Sequence, residues 1–267
     1  MDDIGDKLPF GVSKLEEPNL SEPIADNNGL GDWIYCSKPD DFRKVLCWNC
    51  RGAKAKGLSG LIYDFCHNAD VSLLILLEPQ VSGVVANKII KKFRFDGETW
   101  VDSISCVGGI WVLWDQSLWK TNVLHSAGQF ITMEVQWMDD TPCFLTAVYG
   151  SPHMARRAEL WTHIHQMAAC LDGPRCLIGD FNVVAFEHER LGSSSQNPPR
   201  GSTNFAHLLS DCELTDLGFI GSPFTWSRGN LRECLDKAVA TLPWHTRFPH
   251  ANVTYLFHFK SDHSPYC

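Results

Sequence analysis

Leu177-Ile178-Gly179-Asp180-Phe181-Asn182 is an apolar run that ends in a carboxylate and, two residues on, an amide. Side chains alternate along a strand, so the spacing predicts Asp180 and Asn182 on one face and Phe181 turned into the opposite layer. The plain alternative is a strand closed by an Asp/Asn turn. What favours chemistry is that other apolar runs in the chain end in the same way.

Working outward, residues 154–170 read as a helix whose apolar stripe is Leu160, Trp161, Ile164, Met167, Ala168 and, just past its end, Leu171. Before them, Phe144 to Val148 reads as a buried strand closed by Tyr149-Gly150-Ser151-Pro152. The same unit occurs near the start. Val45-Leu46-Cys47-Trp48-Asn49-Cys50 is a strand, Leu58, Leu61, Ile62 and Phe65 predict a helix over about 57–68, and Val71 to Leu77 is a second buried strand ended by Glu78-Pro79. Between the two units the pattern predicts a short basic helix at 84–93 and strands near 99–104, 109–114, 118–125 and 129–137. After Asn182 it predicts a polar loop over 185–203, a helix at 203–212, and strands at 224–227, 233–239 and 253–259. The expected architecture is α/β, with two packed sheets and helices outside.

Length and composition agree. A chain of 267 residues with 44% hydrophobic and 20% charged side chains can bury roughly three quarters of its surface. No apolar run is long enough to span a membrane, and the acidic N-terminus does not read as a secretory signal, so the expected location is nucleus or cytoplasm. The eleven cysteines are scattered singly through apolar runs, which predicts reduced core thiols. Residues 1–43 hold ten acids and four bases, so most of the net charge of −8 sits in what reads as a disordered tail. The domain over 44–267 is near neutral, with Arg51, Lys54, Lys56, Lys88, Lys91, Lys92 and Arg94 as candidates for a local basic rim.

The strand tips collect Asn49, Glu78, Tyr149, Asp180, Asn182 and Asp236, and the chain's end adds Asp262-His263. If they converge, several carboxylates meet with no lysine beside them. A hard divalent cation is the usual resolution, with Mg²⁺ expected and Mn²⁺ as the substitute. Two other patterns carry less. Cys47-Trp48-Asn49-Cys50 is a C-x-x-C without a second ligand pair, and His163 and His165 stand two apart on a helix and cannot share a face.

Eight short motifs stand in order: Trp48-Asn49-Cys50-Arg51-Gly52, Leu77-Glu78-Pro79, Gly108-Gly109-Ile110, Val148-Tyr149-Gly150-Ser151-Pro152, Gly179-Asp180-Phe181-Asn182, Pro223-Phe224-Thr225-Trp226, Leu235-Asp236-Lys237-Ala238 and Ser261-Asp262-His263-Ser264-Pro265. In that order, over residues 44–267, the chain resembles the endonuclease/exonuclease/phosphatase superfamily. More closely, it is similar to the apurinic-endonuclease-like endonuclease domain of plant LINE-type, non-LTR retrotransposons.

The resemblance implies a four-layer αββα sandwich and metal-dependent hydrolysis of a phosphodiester, nicking DNA to leave a 3′-hydroxyl. It implies Glu78, Asn49 and Asp262 about the metal, His263 as base or electrostatic clamp oriented by Asp236, and Asp180 positioning the attacking water. Asn182 and Tyr149 would hold phosphate oxygens, and Arg51, Asn49, Thr225 and Trp226 would touch the nucleic acid. Arg51 stands where the apurinic branch tends to carry an acidic residue, so the resemblance favours retrotransposon-type nicking over abasic-site repair. Gln80 replaces a lysine common in relatives. The family's last strand continues beyond the Asp-His pair, and in an intact element a reverse transcriptase would follow. Here only Ser264 to Cys267 remain, so a truncated domain is expected. The alternatives are a catalytically inactive remnant of such an element, or a phosphatase of small phosphorylated substrates on the same fold.

Overall fold

The computed structural model describes residues 43–103, 107–138, 140–192, 201–256 and 261–267, all within the compact unit Pro39–Cys267. The expected acidic tail lies outside the described residues apart from Arg43.

Four strands form the first sheet: β1 (Lys44–Asn49), β2 (Val71–Leu77), β3 (Gly97–Val101) and β4 (Ile110–Trp114), in the order β1-β2-β4-β3. The second sheet has β5 (Trp119–Ala127), β6 (Phe130–Trp137), β7 (Cys143–Tyr149), β8 (Arg175–Asp180), β10 (Leu214–Asp216) and β13 (Asp236–Thr241), in the order β10-β13-β8-β7-β6-β5. A small third sheet joins β9 (Arg190–Leu191), β11 (Trp226–Arg228) and β12 (Leu231–Glu233). Helices α1 (Leu58–Asn68), α2 (Gly83–Ile90), α3 (Met154–Cys170), α4 (Ser202–Asp211) and the short α5 (Leu242–Arg247) complete the chain.

The apolar runs are continuous because each central strand is buried on both faces. In β2, Leu73, Ile75 and Leu77 point into the core between the sheets, while Leu74 and Leu76 pack outward against α1 and α2. In β8, Ile178 faces the inner core and Leu177 the outer layer of α3 and α4, where Phe181 also lies. Three apolar clusters separated by two sheets make the expected four-layer αββα sandwich.

Strands β1 and β2 are parallel and joined through α1, and β7 and β8 are parallel and joined through α3; the other pairings within the two large sheets are antiparallel. Two parallel crossovers therefore present the C-terminal ends of four strands as natural places for polar side chains. At the end of the chain Tyr266 exchanges backbone hydrogen bonds with Cys47, N to O at 2.9 and 2.8 Å, and buries its ring beside Tyr255. That anchors the segment bearing His263 along the edge of β1.

Some expectations were too coarse. The loop expected over 185–203 contains a 3₁₀ turn at Glu187–Glu189 and the two-residue β9, and 193–200 lie outside the described residues. The strand expected at 233–239 is two strands, β12 and β13, parted at Cys234-Leu235. Of the strand expected at 253–259, Thr254 and Tyr255 form isolated bridges and 257–260 lie outside the described residues. Helix α5 was not foreseen; six residues carry too little periodicity, although Pro243 in its first turn is a start signal.

Gly179 fixes how closely β8 lies against β7. Its φ is +152°, and a Cβ there would overlap the carbonyl oxygen of Val148. Gly179→Ala is expected to destabilise the domain by about 3 kcal/mol, since the obstacle is backbone that cannot step aside. Urea unfolding followed by circular dichroism reads this directly, and a change below about 1 kcal/mol would show that the strands can part.

Candidate active site

Strand register accounts for the convergence of the polar tips. Asn49 pairs with Leu77 across β1 and β2, so Asn49 and Glu78 leave the same edge of the first sheet. In the second sheet Tyr149 pairs with Asp180, and Asp180 pairs with Asp236 across the antiparallel β8 and β13. The terminal segment then brings His263 up to both.

Asp180 is fully buried and is satisfied from several sides. Its Oδ2 accepts from Asn49 Nδ2 at 2.8 Å and from Asn182 Nδ2 at 3.0 Å, while its Oδ1 accepts from the Asn182 backbone N–H at 2.8 Å. Asn182 does share the site with Asp180, but not through strand alternation. The strand stops at Asp180, and Asn182 turns back in the left-handed region at φ 51°, with its amide also bonded to Gly150 O at 2.8 Å. Phe181 goes to the outer layer as expected.

His263 Nδ1 lies 2.8 Å from Asp236 Oδ2, and its Nε2 lies 3.8 Å from Asp180 Oδ2. Burial alone would favour the neutral ring, but the charges of Asp236 and Asp180 and the hydrogen bond that Asp236 accepts from the ring outweigh it, and the pKa rises to about 9. Burial, reinforced by Asp236 and opposed by His263 and Asn49, lifts Asp180 to about 7. Tyr149 is held neutral, chiefly by burial and also by Glu78 and Asp180.

The first sheet supplies the rest. Glu78 Oε1 accepts from Gln80 Nε2 at 3.2 Å, and Glu78 Oε2 lies 3.4 Å from Arg51 Nε. The same Nε is 2.9 Å from Asp262 Oδ1, and Arg51 Nη2 reaches within 3.5 Å of His263 Nε2. Asp262 Oδ2 accepts from Trp226 Nε1 at 2.9 Å. Arg51, Glu78, Gln80 and Asn182 all have φ between 46° and 56°, in the left-handed region that side-chain-bearing residues seldom adopt. Such strain persists only where the surroundings hold it, and it gathers at functional sites.

Glu78, Asp262 and the side-chain oxygen of Asn49 form a set of hard oxygen donors suited to Mg²⁺ or Mn²⁺. Asp262 Oδ1 meets no aligned hydrogen-bond donor; its partner is the positive charge of Arg51, 2.9 Å away, which marks it as a place for a cation. Asp180, Asp236 and His263 also offer donor atoms within 4.8 Å of one another. There, however, His263 Nδ1 and Asp236 Oδ2 face each other, and the geometry is that of an oriented imidazole.

Thr225 and Trp226, expected to touch the nucleic acid, spend their polar atoms on other residues of the site. Thr225 is fully buried, and its hydroxyl accepts from the backbone N–H groups of Leu235 and Asp236, both at 3.0 Å; it orients Asp236 from behind. Trp226 is half-buried and holds Asp262. Two positioning residues escaped the sequence reading. Ser261 donates to Asn49 O at 2.8 Å and accepts from His263 N at 3.1 Å, while Trp48 Nε1 donates to His263 O at 3.1 Å. Both bonds from the terminal segment to β1 span more than 200 residues, and no local pattern announces them. Cys47 and Cys50 face different apolar clusters, so the C-x-x-C is no ligand pair.

Replacing Asp236 by Asn removes the charge that holds the proton on His263. The His263 pKa is then expected to fall from about 9 toward its ordinary 6.5, read from the imidazole proton shifts by NMR. Because the folded-state pKa is raised, the stability it contributes is complete below pH 6.5 and is lost as pH climbs through about 9. D236N should flatten that part of the stability profile.

No curated protein gives a significant sequence match. Solved structures with the same fold are numerous. An AP endonuclease from Leishmania major superimposes with a TM-score of 0.67 at 16% identity, covering 84% of this chain and 86% of that one. The endonuclease domain of TRAS1, a telomere-specific non-LTR retrotransposon, gives 0.61 at 12% identity, with 84% and 96% covered. A 3′ phosphatase from Neisseria, bound to product DNA hairpin, gives 0.59 at 14% identity, with 84% and 97% covered. Family assignment rests on the sequence: residues 46–263, from the first strand to the histidine facing Asp236, match one family throughout. The chain thus belongs to the endonuclease/exonuclease/phosphatase family.

Proposed function

We propose that this protein is a Mg²⁺-dependent endonuclease of the retrotransposon type that nicks DNA. The observation that carries the reading is the buried Asp180–His263–Asp236 row opening toward Glu78, Asp262 and Arg51. Glu78, Asn49 and Asp262 would hold the metal, which when bound supplies Lewis-acid stabilisation of charge on the phosphate.

The chain's own groups account for the remaining steps. Asp180, with a pKa near neutrality, suits a general base that takes a proton from the attacking water. His263, kept cationic by Asp236, presents Nε2 as a donor to the phosphoryl oxygens as the water oxygen bonds to phosphorus and the bond to the 3′-oxygen breaks. Tyr149, neutral, is a further donor, and Asn182 holds Asp180 in place. Exposed Lys54, Lys88, Lys91 and Lys92 supply cations for the flanking backbone. No helix among the described residues is long and apolar enough to cross a membrane. Action on DNA would place the protein in the nucleus or cytoplasm.

The same machinery serves a phosphomonoester, and one of the similar structures is a 3′ phosphatase. Salt separates the two substrates. Duplex binding loses about 0.9 log unit of affinity per log unit of salt for each phosphate contacted, whereas a small ester shows little of this.

Supercoiled plasmid incubated with the purified chain in Mg²⁺ should pass to open circles. EDTA should stop this, and Glu78→Ala or His263→Ala should slow it by about 10²–10⁴-fold. A folded protein that leaves the plasmid intact would point instead to the inactive remnant.

A further inference from the structure

Arg51 occupies an unusual position among the acids of the site. Its Nε is 2.9 Å from Asp262 Oδ1 and 3.4 Å from Glu78 Oε2, so one monocation spans two of the oxygen donors assigned to the metal. A guanidinium has only donors, and although each carboxylate oxygen keeps a second lone pair, a positive charge lying against Glu78 Oε2 and Asp262 Oδ1 weakens their attraction for a divalent ion. The two cations therefore compete for the same carboxylates, and the more mobile one gives way.

The surroundings decide which. Glu78 and Asp262 are held: the Glu78 side chain is 13% exposed and tied to Gln80, and Asp262 is tied to Trp226. The backbone carrying Arg51 is also fixed, since Cys50 N, Gly52 N and Ala53 N donate to the carbonyls of Leu77, Glu78 and Pro79 at 3.0, 2.9 and 2.8 Å. The Arg51 side chain is different: it is 41% exposed at the mouth. It can leave the carboxylates by rotating about its own bonds, with no movement of β1 or β2. Its Nη2 already lies 3.5 Å from His263 Nε2, the atom assigned to the phosphoryl oxygens. A phosphate there would offer the released guanidinium a bidentate anionic partner.

We propose that Arg51 is a resident counter-cation of Glu78 and Asp262 that a divalent metal displaces, and that the displaced guanidinium takes a DNA phosphate, coupling metal binding to substrate binding. The inference rests on the metal-dependent nuclease reading. Two consequences follow from its chemistry. Without Arg51 the carboxylates repel one another and attract a divalent ion more strongly. With Arg51 present, DNA tightens metal binding, and metal tightens DNA binding by the same factor.

The test is a titration of the full chain with Mn²⁺, following the free ion by electron paramagnetic resonance, with and without a phosphorothioate duplex that resists cleavage. Arg51→Met is expected to bind Mn²⁺ at least about tenfold more tightly than the unmodified chain, which is about 1.4 kcal/mol. Its melting temperature should also rise more on adding the ion. DNA should tighten Mn²⁺ binding to the unmodified chain by about fivefold or more, and to Arg51→Met by clearly less. Arg51→Lys, which keeps the charge, should bind Mn²⁺ with nearly unmodified affinity, and Glu78→Ala should lose binding in either background. Equal or weaker Mn²⁺ binding by Arg51→Met, lost with Glu78→Ala, overturns the role of Arg51 and leaves the metal site standing. No binding by any folded chain overturns the metal site itself, and this inference with it.

Discussion

Burying the Asp180 carboxylate is the constraint on which the rest of the structure depends. An isolated carboxylate at zero exposure would cost several kcal/mol or simply take up a proton, and it is tolerable only where hydrogen bonds surround it. Those bonds come from both sheets: Asn49 reaches across from β1 and Asn182 folds back from the end of β8, while His263 on the terminal segment adds a positive charge 3.8 Å away. Satisfying this one group therefore fixes the stacking of the two sheets at one end. It also requires the terminal segment to dock, which Tyr266 accomplishes by pairing with Cys47 on one side and filling the inter-sheet core on the other.

The same constraint explains where the backbone is strained. Peptide groups at 50–53 are laced to carbonyls at 77–79, and this lacing holds Arg51 and Glu78 at positive φ; Gln80 is held in the same region by its bond to Gly108 O. Asn182 adopts a similar angle because its backbone N–H and its amide must both meet Asp180. Each departure costs of order 1 kcal/mol, and the apolar clusters on either side of the sheets are large enough to sustain several.

Much of this could be read from the sequence, and the boundary between legible and illegible is physical. Strands buried on both faces, such as Val71–Leu77, announce themselves as unbroken apolar runs, and α3 was placed by its stripe to the residue. The polar tips were legible for the same reason, since Asn49, Glu78 and Asp180 each interrupt an apolar context. Short elements held by tertiary contact were not. Strands β9 and β12 have two and three residues and exist because they pair with one another and with β11. Nor does the sequence show which side chains hold others of the site in place. Thr225 and Trp226 sit beside the site in the chain, yet their polar atoms are spent on Asp236 and Asp262.

The charges of the site divide into two groups with different freedom. Asp180, Asp236 and His263 are buried together, and their protonation is set by one another: the carboxylates hold the proton on the ring, and the ring limits how far burial can raise Asp180. Glu78 and Asp262 lie nearer the surface, where solvent screens them and an exposed guanidinium suffices as partner. A site built in this way can keep its acid–base row fixed while the cation at its mouth is exchanged. Exchange at the mouth need not disturb the bonds between the sheets, because none of the Asp180 hydrogen bonds passes through Arg51. On the reading proposed above, stability and ion binding are separated in space, the first resting on the buried row and the second on the two outer carboxylates.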